Sequence, residues 1–188
     1  MNIMACLKKM MALLITSAIV CPLMGCDVPQ KHQSPQELAE GYYWYEAVFL
    51  DTEDVENVFK AVSVHFPEYE IVPDIFHVTT QYKPEPEHES LYGSPVTVHI
   101  IGYTCGSVQD KQEDIISQNE GFLVEVTSPD EEMQALIDSC DRIWHITGSY
   151  TAAAKYTGAL DFSDAMPLDI TLEGVYGKAD SDGNVILK

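Results

Sequence analysis

Basic residues are scarce in this sequence. Ten lysines and arginines stand against thirty aspartates and glutamates in a chain of 188 residues, so the formal net charge is −20. A surface of this kind repels polyanions. The composition therefore argues against long RNA or DNA as a partner unless a cleft is locally positive, and it favours a small ligand.

Cysteine is also scarce, and no pair has the C-x-x-C or other spacing of a zinc site. We predict no metal and no other cofactor. Two cysteines, Cys105 and Cys140, lie in the body of the chain. In an oxidising compartment they could pair, but the sequence leaves open whether they do.

The N-terminal apolar run, Met10–Met24, is too short to span a membrane. It follows Lys8 and Lys9, as in a signal peptide. The run ends in Leu23-Met24-Gly25-Cys26, which resembles the lipobox of bacterial lipoproteins. The resemblance implies cleavage after residue 25 and a lipid, such as palmitate, on Cys26. An ordinary cleaved signal and an uncleaved anchor are the alternatives.

These features divide the chain into three parts. Residues 1–25 are the predicted signal peptide, and residues 26–41 are a polar tether. Residues 42–188 are long enough for one domain with a real core. We expect this domain in the cell envelope, held to a bacterial membrane by its lipid anchor and facing out of the cytoplasm.

A repeated hexapeptide is the main motif. His77-Val78-Thr79-Thr80-Gln81-Tyr82 returns as His145-Ile146-Thr147-Gly148-Ser149-Tyr150. In a strand, side chains alternate between faces, so each histidine shares a face with the threonine two residues on. Two such pairs facing one cleft would supply two acid/base groups and two anion-binding hydroxyls. That set suits attack on a phosphate ester.

The motif lies at the same place in a repeated order of elements. Strand, helix, strand and strand are predicted twice, which favours an α+β domain of two related halves. The first half comprises strand Tyr42–Leu50, a helix from Asp51 or Thr52, strand Ile75–Tyr82 and strand Pro95–Thr104. A polar connection, Gly106–Glu120, leads to strand Gly121–Thr127, a helix capped by Ser128, strand Arg142–Tyr150 and a hairpin of Leu168–Gly177 with Asn184–Leu187.

The two motifs resemble those of the two-histidine (2H) phosphoesterase superfamily, the LigT-like proteins. That family carries two His-hydrophobic-Ser/Thr motifs on central strands. Here they are His77-Val78-Thr79 and His145-Ile146-Thr147, and the resemblance covers residues 42–188. It implies a duplicated, two-lobed α+β fold with antiparallel sheets around a central cleft.

The resemblance also implies a metal-independent phosphodiesterase or cyclic phosphodiesterase. Its substrate would be a small nucleotide or an RNA-end cyclic phosphate. One histidine would act as general base and the other would protonate the leaving ribose oxygen, and the sequence does not assign the two roles. The hydroxyls of Thr79 and Thr147 would hold the phosphate oxygens.

Four further residues are candidates for substrate binding. Lys83 and Lys155 follow the two motifs and are candidate phosphate-facing cations. Tyr82 and Tyr150 could stack on a base. Alternation, however, places each tyrosine on the face opposite its histidine, five residues away, which favours core packing for both.

Two other functions stay open. A module of the same fold could bind a phosphorylated or acidic ligand without turnover, or the lipoprotein could serve protein contacts alone. A single strand histidine is most often satisfied by a local hydrogen bond. His99, which has no serine or threonine two residues on, is expected to be such a structural residue. An enzyme needs both motif imidazoles within reach of one phosphate.

Overall fold

The computed structural model describes residues 44–63, 66, 69–110, 115–151, 160–180 and 182–188. They form a mixed α+β fold of two helices and an antiparallel seven-stranded sheet. The elements in chain order are β1 (Tyr45–Leu50), α1 (Thr52–Val62), β2 (His77–Tyr82), a short 3-10 turn (Glu89–Leu91), β3 (Pro95–Asp110), β4 (Ile115–Thr127), α2 (Glu131–Ser139), β5 (His145–Tyr150), β6 (Met166–Ala179) and β7 (Val185–Ile186).

The N-terminal predictions fall outside this described part of the chain. The signal peptide over residues 1–25, the tether over residues 26–41 and the lipidated Cys26 are therefore left as predictions. Within the described residues, no helix is long and apolar enough to cross a membrane. Cys105 and Cys140 are both free thiols.

The sheet places the two motif strands at its two ends. Its strand order is β2-β1-β6-β3-β4-β5, and β7 pairs with β6. The strands of both predicted halves thus belong to one sheet. The last strand of each half lies among strands of the other, because β6 pairs with β1 and β3 pairs with β4, and β6 and β3 also pair with each other. The two end strands, β2 and β5, nevertheless contact each other. The repeated strand–helix–strand–strand order is confirmed, because β1-α1-β2-β3 is followed by β4-α2-β5-β6.

Each helix begins at an aspartate. The carboxylate of Asp51 accepts a hydrogen bond from the backbone of Asp54 at 3.1 Å, as a helix N-cap does. The N-cap of α2 is Asp130, so the prediction of Ser128 was wrong. The Ser128 hydroxyl instead donates to the Pro95 carbonyl at 2.7 Å, and this bond ties the start of α2 to β3.

Both helices pack on one face of the sheet. The shared core contains fully buried residues of strands and helices, namely Val48, Val78, Val98, Phe122, Ile146, Phe59 and Met133. The rings of Phe59 and Phe122 stack at 3.9 Å between centroids. Gly148 makes room for α1 against β5, because a Cβ there would lie 2.6 Å from Phe59. The core therefore fixes β2 and β5 through the residue between each His and Thr.

The segment predicted as a polar connection, Gly106–Glu120, is instead part of a long hairpin. β3 runs to Asp110 and β4 starts at Ile115, with Cys105 opposite Glu120. The prediction was wrong because backbone pairing in a hairpin does not require apolar side chains on both faces. Val108 supplies the apolar contact, packing with Leu160 and Phe162.

Candidate functional site

Both His-x-Thr motifs point away from the helices. Val78 and Ile146 are fully buried in the shared core. By strand alternation, the residues on either side of each lie on the opposite face. His77 with Thr79 and His145 with Thr147 therefore share the face of the sheet that the helices leave uncovered, on two strands that contact each other.

The two imidazoles are held by the same local bond. Nδ1 of His77 lies 3.1 Å from the carbonyl oxygen of Ile75, and Nδ1 of His145 lies 3.1 Å from that of Ile143. A carbonyl only accepts, so each Nδ1 carries the proton in the neutral ring. The Nε2 atoms are then lone-pair acceptors. Neither Nε2 makes a hydrogen bond within the described part of the chain, which leaves both for a ligand or water.

Both imidazoles have lowered pKa values. The pKa of His77 is lowered to about 4, mainly by burial; the Ile75 carbonyl opposes this shift and the charge of His145 contributes to it. Burial also lowers the pKa of His145, with a contribution from the charge of Arg142. Both rings are therefore neutral near pH 7 in the unliganded protein. A nearby anion would favour the protonated form of either ring.

The surroundings of the two histidines differ. The Tyr45 ring stacks on His77 at 4.8 Å between centroids, and Phe49 lies 6.1 Å from the same ring. On the other side, Phe162 lies 6.3 Å from His145. His77 thus sits against an aromatic wall, which explains why desolvation dominates its pKa.

The hydroxyls of the two motif threonines form no hydrogen bond within the described part of the chain. Thr79 and Thr147 are half-buried. Each hydroxyl lies on the same face as the histidine two residues earlier. One face of two contacting strands therefore carries four side chains that can bond to an anion: two imidazoles and two hydroxyls.

A β-bulge changes the position of Tyr82. Ala47 pairs with Thr79 and Glu46 with Gln81, so Thr80 is an extra residue in β2. One extra residue reverses the alternation beyond it. Tyr82 therefore returns to the face of His77, where its ring lies 6.2 Å from that of Tyr45. The side chain is 60% exposed, so the prediction of core packing for Tyr82 was wrong.

Tyr150 ends β5 beside a similar irregularity. Gly121 pairs with Thr147 and Asn119 with Tyr150, so two residues of β5 lie opposite Glu120 alone. Tyr150 is half-buried, and its backbone pairs with Ile71 through bonds of 2.9 and 3.0 Å. The pKa of its hydroxyl is raised to about 12, mainly by burial and in smaller part by the charge of Asp74. Stacking of a base on Tyr150 stays a prediction.

The predicted cations have different outcomes. Lys83 follows β2 as an exposed residue with a left-handed φ of 47°, and its backbone N–H donates to the Trp44 carbonyl. Lys155 lies outside the described residues. Phosphate binding by Lys83 and Lys155 stays a prediction. His99, expected to be structural, has its Nε2 2.8 Å from a carboxylate oxygen of Asp169.

Arg142 is a site residue that the sequence reasoning missed. Its Nη1 donates to the backbone carbonyls of Thr79 at 2.7 Å and Thr80 at 2.6 Å. Its guanidinium lies 5.8 Å from the centroid of the Tyr82 ring. One signal could have identified it: this is the only arginine in the sequence, and it stands three residues before His145. A cation therefore bridges the two motif strands.

Two buried glutamates support the motif strands from the core side. Glu46 and Glu120 are both fully buried. They occupy matching places, since Glu46 lies next to Ala47, the partner of Thr79, and Glu120 next to Gly121, the partner of Thr147. Each glutamate thus lies beside the irregularity in strand pairing that follows its His-x-Thr motif.

The hydrogen bonds of Glu120 reach β5 directly. Its carboxylate accepts from both the backbone N–H and the hydroxyl of Ser149, two residues after Thr147. It also accepts from the hydroxyls of Ser63 at 2.5 Å and Tyr103 at 2.8 Å. Four donors on one buried carboxylate compensate its desolvation.

Glu46 binds a different set of donors. It accepts from the Tyr176 hydroxyl at 2.7 Å, the Tyr92 hydroxyl at 2.9 Å and the backbone of His88 at 2.7 Å. Burial raises the pKa of this carboxyl, but the bonds from His88, Tyr176 and Tyr92 outweigh burial, so the pKa lies below its usual value. Glu46 therefore anchors the loop after β2.

Metal ligation is not supported by side-chain grouping in this part of the protein. No cluster of three or more His, Cys, Asp or Glu residues that could hold a metal ion occurs among the residues described. The chemistry available at the motif face is therefore that of imidazole, hydroxyl and guanidinium groups.

In comparisons with known proteins, no protein-family model, no curated protein and no solved structure matches this chain.

Proposed function

We propose that this protein is a metal-independent phosphodiesterase that opens a cyclic phosphate on a small nucleotide or an RNA end. One observation carries the proposal. Two neutral imidazoles on one face of the sheet have the same Nδ1–carbonyl bond, and neither Nε2 atom forms a hydrogen bond with another described residue. Paired general acid/base catalysis uses two such groups, and this observation supports the proposal.

The reaction is a hydrolysis in which water is the nucleophile. The neutral Nε2 of one histidine takes a proton from water as the new P–O bond forms. The other histidine, protonated at Nε2, gives its proton to the ribose oxygen as the old P–O bond breaks. The product is an open phosphate monoester, and the two rings have exchanged protonation states.

The lowered pKa values are compatible with these roles. Both rings are neutral without ligand, but the negative charge of a bound phosphate favours protonation of one of them. The mutual repulsion of the two imidazolium forms opposes protonation of both. The hydroxyls of Thr79 and Thr147 donate hydrogen bonds to the non-bridging phosphate oxygens.

We also propose the finer fold assignment, a duplicated domain of the two-histidine phosphoesterase type. The repeated order of elements supports it. So do the matching strand irregularities after the two motifs and the matching buried glutamates. A solved crystal structure with phosphate bound between the two histidines would test this assignment directly.

A lipid anchor at Cys26 in the cell envelope is part of the same proposal and rests on the leader sequence. Intact-mass measurement on membrane-extracted protein tests it. The expected result is a mature chain that starts at Cys26 and carries added lipid mass. A different start without lipid would contradict the anchor and leave the catalytic proposal standing.

A second candidate function is ligand binding without turnover. It is favoured by the stacking of Tyr45 on His77, which keeps this imidazole desolvated and hard to protonate. A binding module in which one histidine is hard to protonate could hold a phosphorylated ligand without completing acid/base catalysis. The two functions differ in turnover and share the same residues.

Replacing each histidine separates these functions. His77→Ala and His145→Ala should each reduce hydrolysis of 2′,3′-cyclic nucleotides by ~10²–10⁴, the usual contribution of one positioned acid or base. The double variant should lose less than the product of the two factors, because the rings act as a unit. Steady-state rates with chelator present measure this, and chelation should have no effect.

His99→Ala is the matched control, because His99 is a strand histidine bonded to Asp169 and outside the motifs. It should retain the wild-type rate. Histidine-dependent binding without turnover would favour the binding module. Neither turnover nor binding of any phosphate ester would reject both functions.

A further inference from the structure

Arg142 interacts with three parts of the motif strands. Its Nη1 bonds to the Thr79 and Thr80 carbonyls. Its guanidinium lies over the ring of Tyr82, which the bulge in β2 has moved to the face of His77. Its charge acts on His145. The guanidinium therefore lies at the gap between the two motif strands.

The charge of Arg142 has no carboxylate partner in the described part of the chain. The contrast with two lysines is clear, because Lys60 pairs with Glu56 at 2.6 Å and Lys178 pairs with Glu87 at 2.8 Å. In a chain with thirty acidic residues, an arginine that forms no ion pair among the described residues is unusual. Its positive charge remains available to an anion.

The guanidinium retains donors after its bonds to the protein. Arginine has five N–H groups in a planar fork. Two of them, on Nη1, are directed to backbone carbonyls of β2, which leaves Nη2 and Nε. A fork held in this way loses little side-chain entropy when it binds two oxygens of a phosphate.

We infer that Arg142 is the anion-binding residue where the two motif strands meet, and that it holds the non-bridging phosphate oxygens between His77 and His145. This inference rests on the proposed phosphate-ester site and extends it by one residue. It also explains how a strongly acidic protein takes an anionic ligand: the attraction is local and comes from one guanidinium fixed across two strands.

The alternative role of Arg142 is to cap the free edge of β2. A capping role alone would make its loss a matter of stability. The two roles give different measurements, because a cap affects the unfolding midpoint and a phosphate ligand affects the affinity for phosphate.

The test compares Arg142→Gln and Arg142→Lys with Lys60→Gln, which removes the same charge on α1. The dissociation constant for inorganic phosphate is measured by calorimetry on the full-length protein, and the urea midpoint is measured for each variant. Arg142→Gln should weaken phosphate binding about 10- to 100-fold, as expected for loss of a charged hydrogen bond. Arg142→Lys should recover part of the affinity, and Lys60→Gln should keep the wild-type value.

Wild-type affinity in Arg142→Gln would overturn the inference, and a lowered urea midpoint with that affinity would identify a cap alone. If phosphate binding then still requires His77 and His145, the proposed site survives without Arg142. Arg142-dependent phosphate binding without hydrolysis would support the inference and reject the hydrolase. Absence of phosphate binding in the wild-type protein would overturn the inference.

Discussion

The two halves of the protein repeat one order of elements and differ in the side chains around the two motifs. In both, a histidine bonds through Nδ1 to the carbonyl two residues before it, and a buried glutamate lies beside an irregular strand pair. The residues opposite the motif diverge. Phe49 pairs with His77, whereas Leu123 pairs with His145.

The side chains differ most at the far end of the strands that pair with β2 and β5. Tyr45, which stacks on His77, has the fully buried Asn119 in the equivalent place. The first half therefore places the rings of Tyr45 and Phe49 beside its histidine. The second half places Phe162, Leu123 and Arg142 near its histidine. The two imidazoles thus lie in different environments.

The largest expected difference in stability between the halves concerns their glutamates. Glu120→Ala would remove the buried carboxylate that accepts from the backbone N–H and hydroxyl of Ser149 and from the hydroxyls of Ser63 and Tyr103. We expect it to lower the free energy of unfolding by about 3–5 kcal/mol, since each buried unsatisfied donor costs ~1–3 kcal/mol. Glu46→Ala should cost less, about 2–3 kcal/mol, because the half-exposed His88 and Tyr92 can bond to water instead.

Urea unfolding of both variants tests this order. Glu125→Ala is the control, because Glu125 lies on β4 with Glu120 but has an exposed side chain. Its effect should stay within about 0.5 kcal/mol. An equal loss in the two glutamate variants would mean that their networks are energetically equivalent.

The unequal burial of the histidines predicts a pH dependence of stability. The pKa of His77 is about 4 in the folded protein, against the ordinary histidine value of 6.5 that applies to the unfolded chain. The unfolded chain therefore binds more protons than the folded protein between these two pH values. Stability should therefore fall as pH decreases from about 6.5 towards 4, by roughly 2 kcal/mol at pH 5 for this group. Urea unfolding at pH 7 and pH 5 measures the loss.

His77→Gln should remove that part of the pH dependence, because glutamine does not titrate. The pKa of His145 is shifted in the same direction, so His145→Gln should also reduce the slope. The aromatic wall makes His77 the larger contributor. A larger change in His145→Gln would contradict the stated difference between the two halves.

The smallest expected effects distinguish the two motif tyrosines. Tyr82 is 60% exposed and contacts Tyr45 and Arg142 at the surface, so Tyr82→Ala should change the free energy of unfolding by less than about 0.5 kcal/mol. Tyr150 is half-buried at the end of β5, and Tyr150→Ala should cost about 1–3 kcal/mol. Thermal or urea unfolding of the two variants compares them. Equal costs would contradict the stated difference in burial between the two tyrosines.

Local patterns accounted for much of the fold. Alternation around Val78 and Ile146 placed both motifs on strands with their histidines and threonines on one face, as the structure has them. The start of the first helix was predicted at Asp51 or Thr52, and Asp51 is its N-cap. These predictions succeed because they depend on residues close together in the sequence.

The failures involve contacts between distant residues. Tyr82 was assigned to the wrong face because the extra residue in β2 is visible only in its pairing with β1. Arg142 was overlooked because its partners, the Thr79 and Thr80 carbonyls, are more than sixty positions away. Glu46 and Glu120 look like surface acids in the sequence, and only their buried donors reveal otherwise.

The sequence by itself determined the repeated motif, the alternation that pairs each histidine with its threonine, and the start of the first helix. Each depends on local geometry that the chain carries wherever it folds. Tertiary structure decided that β2 and β5 meet, that Arg142 lies between them and that two glutamates are buried behind them. Those outcomes depend on which strands pair and in what register, because register controls which side chains share a face and which polar groups find a partner.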